Sequence, residues 1–374
     1  MSGPASSAVA AAGQTVGPGT VLMRVRQMGP SGPVEAFVLR VNLGDPAVQP
    51  GLLYPGVISA ARTLSAMAER TGAFAAINGD FFNIGASGAP VGPVVAGGRL
   101  LKAPQPGRAL AVGIGVDGVG RISTVRLRGS VGLPRGPVVL SDLNDANPGY
   151  APMLTPNGVG LFTSSWGSYT RAGAARGLES VTEALIRGGR VAGIRHQAGS
   201  GAIAAGSYVL LGAGRGGRAL ARLRIGEAVS VDYGQTTPAP ARFRFAIGAK
   251  YRLLRAGAVQ GGLPVAAGAE RTAVGFSHDG RVMYLVVTEG REVGVPGLDL
   301  PQLAGFMRGL GVRDAVNLDD GGSTTIVVRL PGRGGVSLLN HPADGTERNV
   351  ANGIGLRALN PTRGRTMVEP RPEG

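Results

Sequence analysis

The sequence predicts an α+β fold: mixed, largely antiparallel sheets with a few helices, in a single composite domain. Three observations predict it. The chain has 374 residues, 43% of them hydrophobic, which is enough to bury a sizeable core. Its 65 Gly and 26 Pro are spread between short apolar and β-branched runs, the pattern of many short strands joined by turns. Helical stripes stand out in only two places, and neither an internal repeat nor a strong linker divides the chain.

In order, residues 1–20 read as a flexible leader without the basic n-region and apolar h-region of a signal peptide. Val21–Arg26 and Ala36–Asn42 have strand character. Ser59 can cap a helix running to about Arg70, with Leu64, Met67 and Ala68 as its apolar stripe and Gly72 at its end. Ala73–Ile77 then reads as a buried strand that delivers Asn78-Gly79-Asp80-Phe81-Phe82-Asn83 at its end. The stretch 84–107 is Gly/Pro-rich and reads as a long loop. Ala109–Val116 and Gly120–Leu127 form a hairpin across Asp117-Gly118. Residues 128–180 read as an irregular insertion holding Asp142, Asn144, Asp145, Asn147 and Trp166.

Short strands resume at Thr182–Arg187, Arg190–Ile194, Ser207–Leu211, Ala228–Tyr233 and Arg242–Ile247. Gly212-Ala213-Gly214-Arg215-Gly216-Gly217 has the look of a dinucleotide loop, but no amphipathic helix is predicted after it, so that reading is rejected. Arg271–Ser277 and Arg281–Thr288 pair across Asp279-Gly280. The clearest helix follows: Asp299 and Gln302 form a capping box, Leu303, Phe306, Met307 and Leu310 form the stripe, and Gly311 closes it. It feeds Asp314-Ala315-Val316-Asn317-Leu318, which leads into Asp319-Asp320-Gly321-Gly322-Ser323-Thr324. The domain so defined spans 21–359, and 360–374 reads as a loose tail.

Lys and Arg outnumber Asp and Glu by 38 to 23, a net charge of +15. An arginine-rich excess suits an anionic substrate, although GC-rich codon usage produces the same excess. No long basic run and no aromatic-interleaved basic stretch supports nucleic-acid binding. No stretch is long and apolar enough to span a bilayer as a helix. There is no cysteine, which excludes disulfides, thiolate metal sites and a Cys nucleophile.

Four polar clusters stand at strand ends. They are Asn78/Asp80/Asn83, Glu270-Arg271-Thr272, the Asn317–Thr324 turn, and Asn340-His341 with Asp344 to Asn349. Taken alone, the first and third are better explained as ordinary turns, and Arg271 in the second by a salt bridge with Glu270 or Asp319. Of the three histidines, His341 beside the fourth cluster is the best candidate for chemistry. No G-x-S-x-G elbow and no H-E-x-x-H helix is present, which leaves carboxylates, arginines and hydroxyls. That combination suits hydrolysis of a glycosyl bond or a phosphate ester.

In order, Asn78-Gly79-Asp80-Phe81-Phe82, Arg271–Gly275, Glu289-Gly290-Arg291, Asn317–Thr324 and Glu347–Asn352 resemble the motif series of the phosphodiester glycosidase family. The resemblance covers roughly residues 55–358. It departs in two places: Asp320 stands where the family has a Gly, and Asn349 where it has a Pro. The resemblance implies hydrolysis of a sugar-1-phosphodiester to free sugar and phosphomonoester. The implied catalytic carboxylate is Asp319, with Asp80 or Glu347 as its partner. The phosphate grip falls to Arg271, with Arg348 as second choice. Asn78, Asn317, Ser323 and Thr324 would orient hydroxyls and phosphate oxygens around the Gly321-Gly322 turn. No cofactor is required, although Asp320 with Asp319 and Asp80 could hold calcium or magnesium. The expected partner is an anionic phosphorylated saccharide, and the expected location is the cell envelope or outside the cell, with a cytoplasmic role as the alternative. Two other functions compete: a metal-assisted phosphoesterase cutting P–O, and a non-catalytic saccharide- or wall-binding module.

Overall fold

The computed structural model describes residues 13–147, 154–155, 157–238, 242–290 and 294–359. The tail 360–374, the first twelve residues of the expected leader and Arg291 lie outside the described residues. Among the described residues the fold is mostly β: four sheets, three α-helices and antiparallel pairing nearly throughout. The exception is a parallel pair, Gly136–Leu143 with Val159–Thr163.

An eight-stranded sheet runs Gly13–Gly17, Thr20–Gly29, Gly32–Asn42, Val282–Thr288, Arg271–Phe276, Asp314–Asn317, Tyr251–Arg255, Ala258–Val259. A five-stranded sheet centres on Ala73–Asn78, flanked by Ile326–Val328 and Gly353–Ala358. A second five-stranded sheet centres on Phe243–Gly248, between Val94–Ala96 and Leu110–Gly115. These three sheets share one core, in which Leu39, Val274 and Val316 meet Ile77, Ile326, Ile114 and Ile247. A seven-stranded sheet built from residues 126–236 packs its own cluster around Leu161, Leu210 and Ile186. Helix α1 (Leu64–Thr71) covers the Ala73–Asn78 strand with Leu64, Met67 and Ala68. Helix α2 (Gly214–Ala221) lies on the seven-stranded sheet. Helix α3 (Leu300–Gly309) buries Leu303 and Met307 against Val38, Ala273 and Ala315 of the eight-stranded sheet.

The capping box of α3 is formed as the sequence predicts, with Asp299 and Gln302 bonding reciprocally. The Asp117-Gly118, Gly188-Gly189 and Asp279-Gly280 turns close their hairpins. Four expectations need correction. Within the leader, Gly13–Gly17 is a strand, held at the sheet edge by pairing with Thr20–Met23. Helix α1 starts at Leu64 with Thr63 as its cap; Ser59 instead bonds the backbone of Trp166, which ties the segment before Thr63 to that loop. The 84–107 loop contains the strands Val94–Ala96 and Arg99–Lys102, and 128–180 contains Arg126–Leu133, Gly136–Leu143 and Val159–Thr163. Finally, Gly214–Ala221 is helical despite its glycines. A Cβ at Gly216 or Gly217 would strike the backbone of Gly158 or Ser180, so close packing favours glycine there over helix propensity.

Candidate active site

Two strands from different sheets end at the same place. Ala73–Asn78 continues into Gly79-Asp80, and Asp314–Asn317 continues into Leu318-Asp319. The two ends are stitched together by the Asp319 amide donating to the Gly79 carbonyl at 2.9 Å. Asn78 Nδ2 donates to the Asp319 carbonyl at 2.8 Å. Asn78 Oδ1 accepts from Thr272 Oγ1 at 2.7 Å and from the Thr325 amide at 3.0 Å. Asn78 is fully buried and committed to these bonds, so it fixes the junction rather than facing solvent.

Asp80 is held from both ends. Its amide donates to Asn352 Oδ1 at 2.8 Å, and its Oδ2 accepts from the Gly92 amide at 2.6 Å. A Cβ at Gly92 or Gly248 would run into this carboxylate, so glycine at both positions makes its berth. Burial pushes the Asp80 carboxyl up to about 7, against the Gly92 hydrogen bond and the Lys102 charge, which favour ionisation, and with Asp319, which opposes it. Asp319 is partly exposed. It too is raised to about 7, first by desolvation, against a Ser323 hydrogen bond and with the repulsion of Asp320. Two carboxyls that repel each other therefore sit near neutrality at one strand-end junction.

The turn beyond Asp319 is tight. Gly321 has φ +60° and donates its amide to the Glu270 carbonyl at 3.0 Å. A Cβ at Gly322 would collide with Arg348 and Asp344. Arg348 donates to Ser323 Oγ at 3.2 Å and to Asp344 Oδ2 at 2.8 Å, and its charge favours ionised Asp319. Arg271 is buried, donates from Nε to the Leu298 carbonyl at 2.7 Å, and pairs through Nη1 with Asp320. Asn317 Nδ2 also reaches Asp320 Oδ2, at 3.2 Å.

The structure thus gathers Asp80, Asp319, Asp320, Asn78, Asn317, Ser323, Arg271 and Arg348 around one junction. Thr324 lies behind the turn, fully buried. Glu347 is turned elsewhere: its Oε1 accepts from the Ser65 amide at 2.8 Å and so caps the first turn of α1. His341 leans on Glu289, with its amide 3.2 Å from each carboxylate oxygen. Among the described residues, no group of three His, Cys, Asp or Glu side chains is arranged to hold a metal ion. Gly92 and Lys102 lie in the 84–107 stretch, read only as a long loop of the kind that is often functional, and neither they nor Gly248 were singled out from the sequence. Asn352 was quoted in the closing motif, yet nothing there signalled that it holds Asp80.

A family model for phosphodiester glycosidases matches residues 180–357. The resemblance read from the motifs therefore holds over that span, which contains Arg271, Asp319 and Arg348; Asp80 lies before it and joins it only through the fold. The match supports a hydrolase of that family. A protein from Synechocystis has the same fold, with TM-score 0.73 and 22% identity over 91% of this chain and 62% of its own. A Burkholderia pseudomallei protein named for presumed export follows at TM-score 0.69 and 24% identity, over 87% of this chain and 74% of its own. The zebrafish N-acetylglucosamine-1-phosphodiester alpha-N-acetylglucosaminidase catalytic domain aligns at TM-score 0.50 and 16% identity, over 92% and 85%. No curated protein matched in a sequence search. No helix among the described residues is long and apolar enough to cross a membrane.

Proposed function

We propose that the protein hydrolyses the glycosyl C–O bond of a sugar-1-phosphodiester. The observation that carries this reading is the Asp80–Asp319 junction, where two joined strand ends bring together a buried and a partly exposed carboxyl, both raised to about 7. Near neutral pH such a pair shares one proton between two sites, so one member can accept a proton while the other holds one. Asp319, the more exposed, takes the proton of the attacking water or steadies the developing positive charge on the sugar. Asp80 is its partner, and Glu347, engaged with α1, is not.

Water adds to the anomeric carbon as the carbon–oxygen bond to phosphate breaks. The electron pair leaves on a phosphomonoester, a stable anion that needs little protonation. Arg348 sits beside Ser323 and Asp319, where charge develops. Calcium or magnesium on Asp319 and Asp80 is not needed for this scheme, and Asp320 is committed to Arg271 instead.

The test is hydrolysis in oxygen-18 water of a substrate found by screening sugar-1-phosphodiesters. The expected label is in the sugar. Label confined to the phosphate would overturn the assignment and turn the reading to P–O cleavage.

A further inference from the structure

Every arginine at the junction already has a carboxylate: Arg271 has Asp320, and Arg348 has Asp344. Lys250 is different. It lies in the turn between Phe243–Gly248 and Tyr251–Arg255, and its amide donates to the Asn317 carbonyl at 3.2 Å. Two residues earlier, Gly248 abuts the Asp80 carboxylate. The Lys250 ammonium lies 4.8 Å from the ring centre of Phe81, the residue after Asp80, and 5.1 Å from that of Tyr251. Lysine and both rings are partly exposed. Among the described residues no carboxylate lies within salt-bridge distance of it.

An ammonium carries three donors and no acceptor. Two aromatic faces hold it by cation–π attraction and take the place of water on those sides without neutralising it. The charge is thus fixed in position, partly desolvated and unpaired, on a turn whose backbone adjoins the two strand ends that carry Asp80 and Asp319. A carboxylate pair that sheds an anionic leaving group needs a cation within reach to receive it, and Arg271 is spent on Asp320.

We propose that Lys250 receives the anionic phosphate group of the substrate, on a platform made by Phe81 and Tyr251. The proposal deepens the glycosidase reading and rests on it for the identity of the anion. It is tested by titrating inorganic phosphate calorimetrically into the full chain and into Lys250→Met and Lys250→Arg. The expected result is that Lys250→Arg, which keeps the charge and can stack on both rings, binds like the wild type, and that Lys250→Met binds about tenfold more weakly. No phosphate binding by the wild type, equal binding by Lys250→Met, or a Lys250→Arg variant as weak as Lys250→Met overturns the proposal. The two readings fail separately: oxygen-18 in the phosphate would sink the glycosidase reading while leaving the Lys250 measurement standing.

Discussion

Among the described residues, Asp142/Asp145 and Asp80/Asp319 are two carboxyl pairs with raised pKa values, and the contrast between them shows what such a shift means. Asp142 and Asp145 lie in the interior beside Lys102, whose ammonium pairs with Asp145 at 2.6 Å with both side chains fully buried. Desolvation and the neighbouring Asp145 push Asp142 up to about 8. Asp80 and Asp319 are raised for the same first reason, yet Asp319 is partly open to solvent. One pair is buried throughout against Lys102, whose charge also reaches Asp80, and the other has a partly exposed member, Asp319, beside Ser323 and within reach of the Arg348 charge. Burial alone perturbs both. Only access and convergent polar groups separate chemistry from packing.

The largest expected effect tests that separation. Asp319→Asn should lower turnover of a sugar-1-phosphodiester by on the order of 10²–10⁴-fold with little change in KM. Asp142→Asn, which removes an acid already protonated near neutrality, should leave turnover within a few-fold. Parallel steady-state kinetics decide it. Comparable losses in both variants would erase the distinction between the pairs.

The sequence showed the open pair far better than the closed one. Asp80 and Asp319 each follow an apolar strand and sit among turn residues, so local pattern put both just past strand ends, where the structure has them. Asn78 was visible for the same reason, though its amide proved to be spent on joining strands. What local pattern cannot supply is direction. Glu347 and Arg348 are adjacent, but one turns to the first turn of α1 and the other to Ser323. Lys250 and Gly248 come from the end of the Phe243–Gly248 strand in another sheet, far from Asp80 in sequence, and Gly92 lies close to Asp80 in sequence but in a Gly-rich stretch that read as loop. Lys102 carried no signal because a single lysine in a Gly/Pro-rich loop looks like solvent-facing charge. The sheet pattern was legible from turns and β-branched runs, whereas the short strands inside 84–107 and 128–180 are fixed by long-range pairing rather than by local propensity.

The next effect is on stability. Asp80 and Asp319 titrate near 7 in the fold, against an ordinary value of 3.8. Below about pH 4 both folded and unfolded forms hold the protons. As pH rises from there toward 7 the unfolded chain ionises first, so stability falls; above 7 both forms are ionised and the loss is constant. Asp80→Asn has no such proton to lose. Its denaturation free energy should change less between pH 5 and 8 than that of the wild type, by on the order of 1 kcal/mol or more. Urea melts at the two pH values measure the difference, and identical pH slopes would contradict a raised Asp80. Turnover by the wild type should peak near pH 7, since the pair works with one proton between two sites.

The smallest effect concerns the residue that departs from the family pattern. Asp320 takes the place of a glycine and pairs with Arg271, so it neutralises the cation that the resemblance assigns to phosphate. It also raises the Asp319 carboxyl by repulsion. Asp320→Gly should therefore do two things at once. It should free Arg271 to bind an anion, tightening inorganic phosphate by about three- to tenfold at low salt, and it should shift the acidic side of the activity profile downward as Asp319 ionises more readily. The turn itself should survive, because Asp320 has extended backbone angles (φ −133°) and the left-handed position belongs to Gly321. Titration calorimetry across a salt series, read beside the pH profile, checks both halves. If phosphate affinity stays unchanged while the profile moves, Asp320 tunes the carboxylate only, and Arg271 serves to hold the Leu298 carbonyl and the turn rather than the substrate.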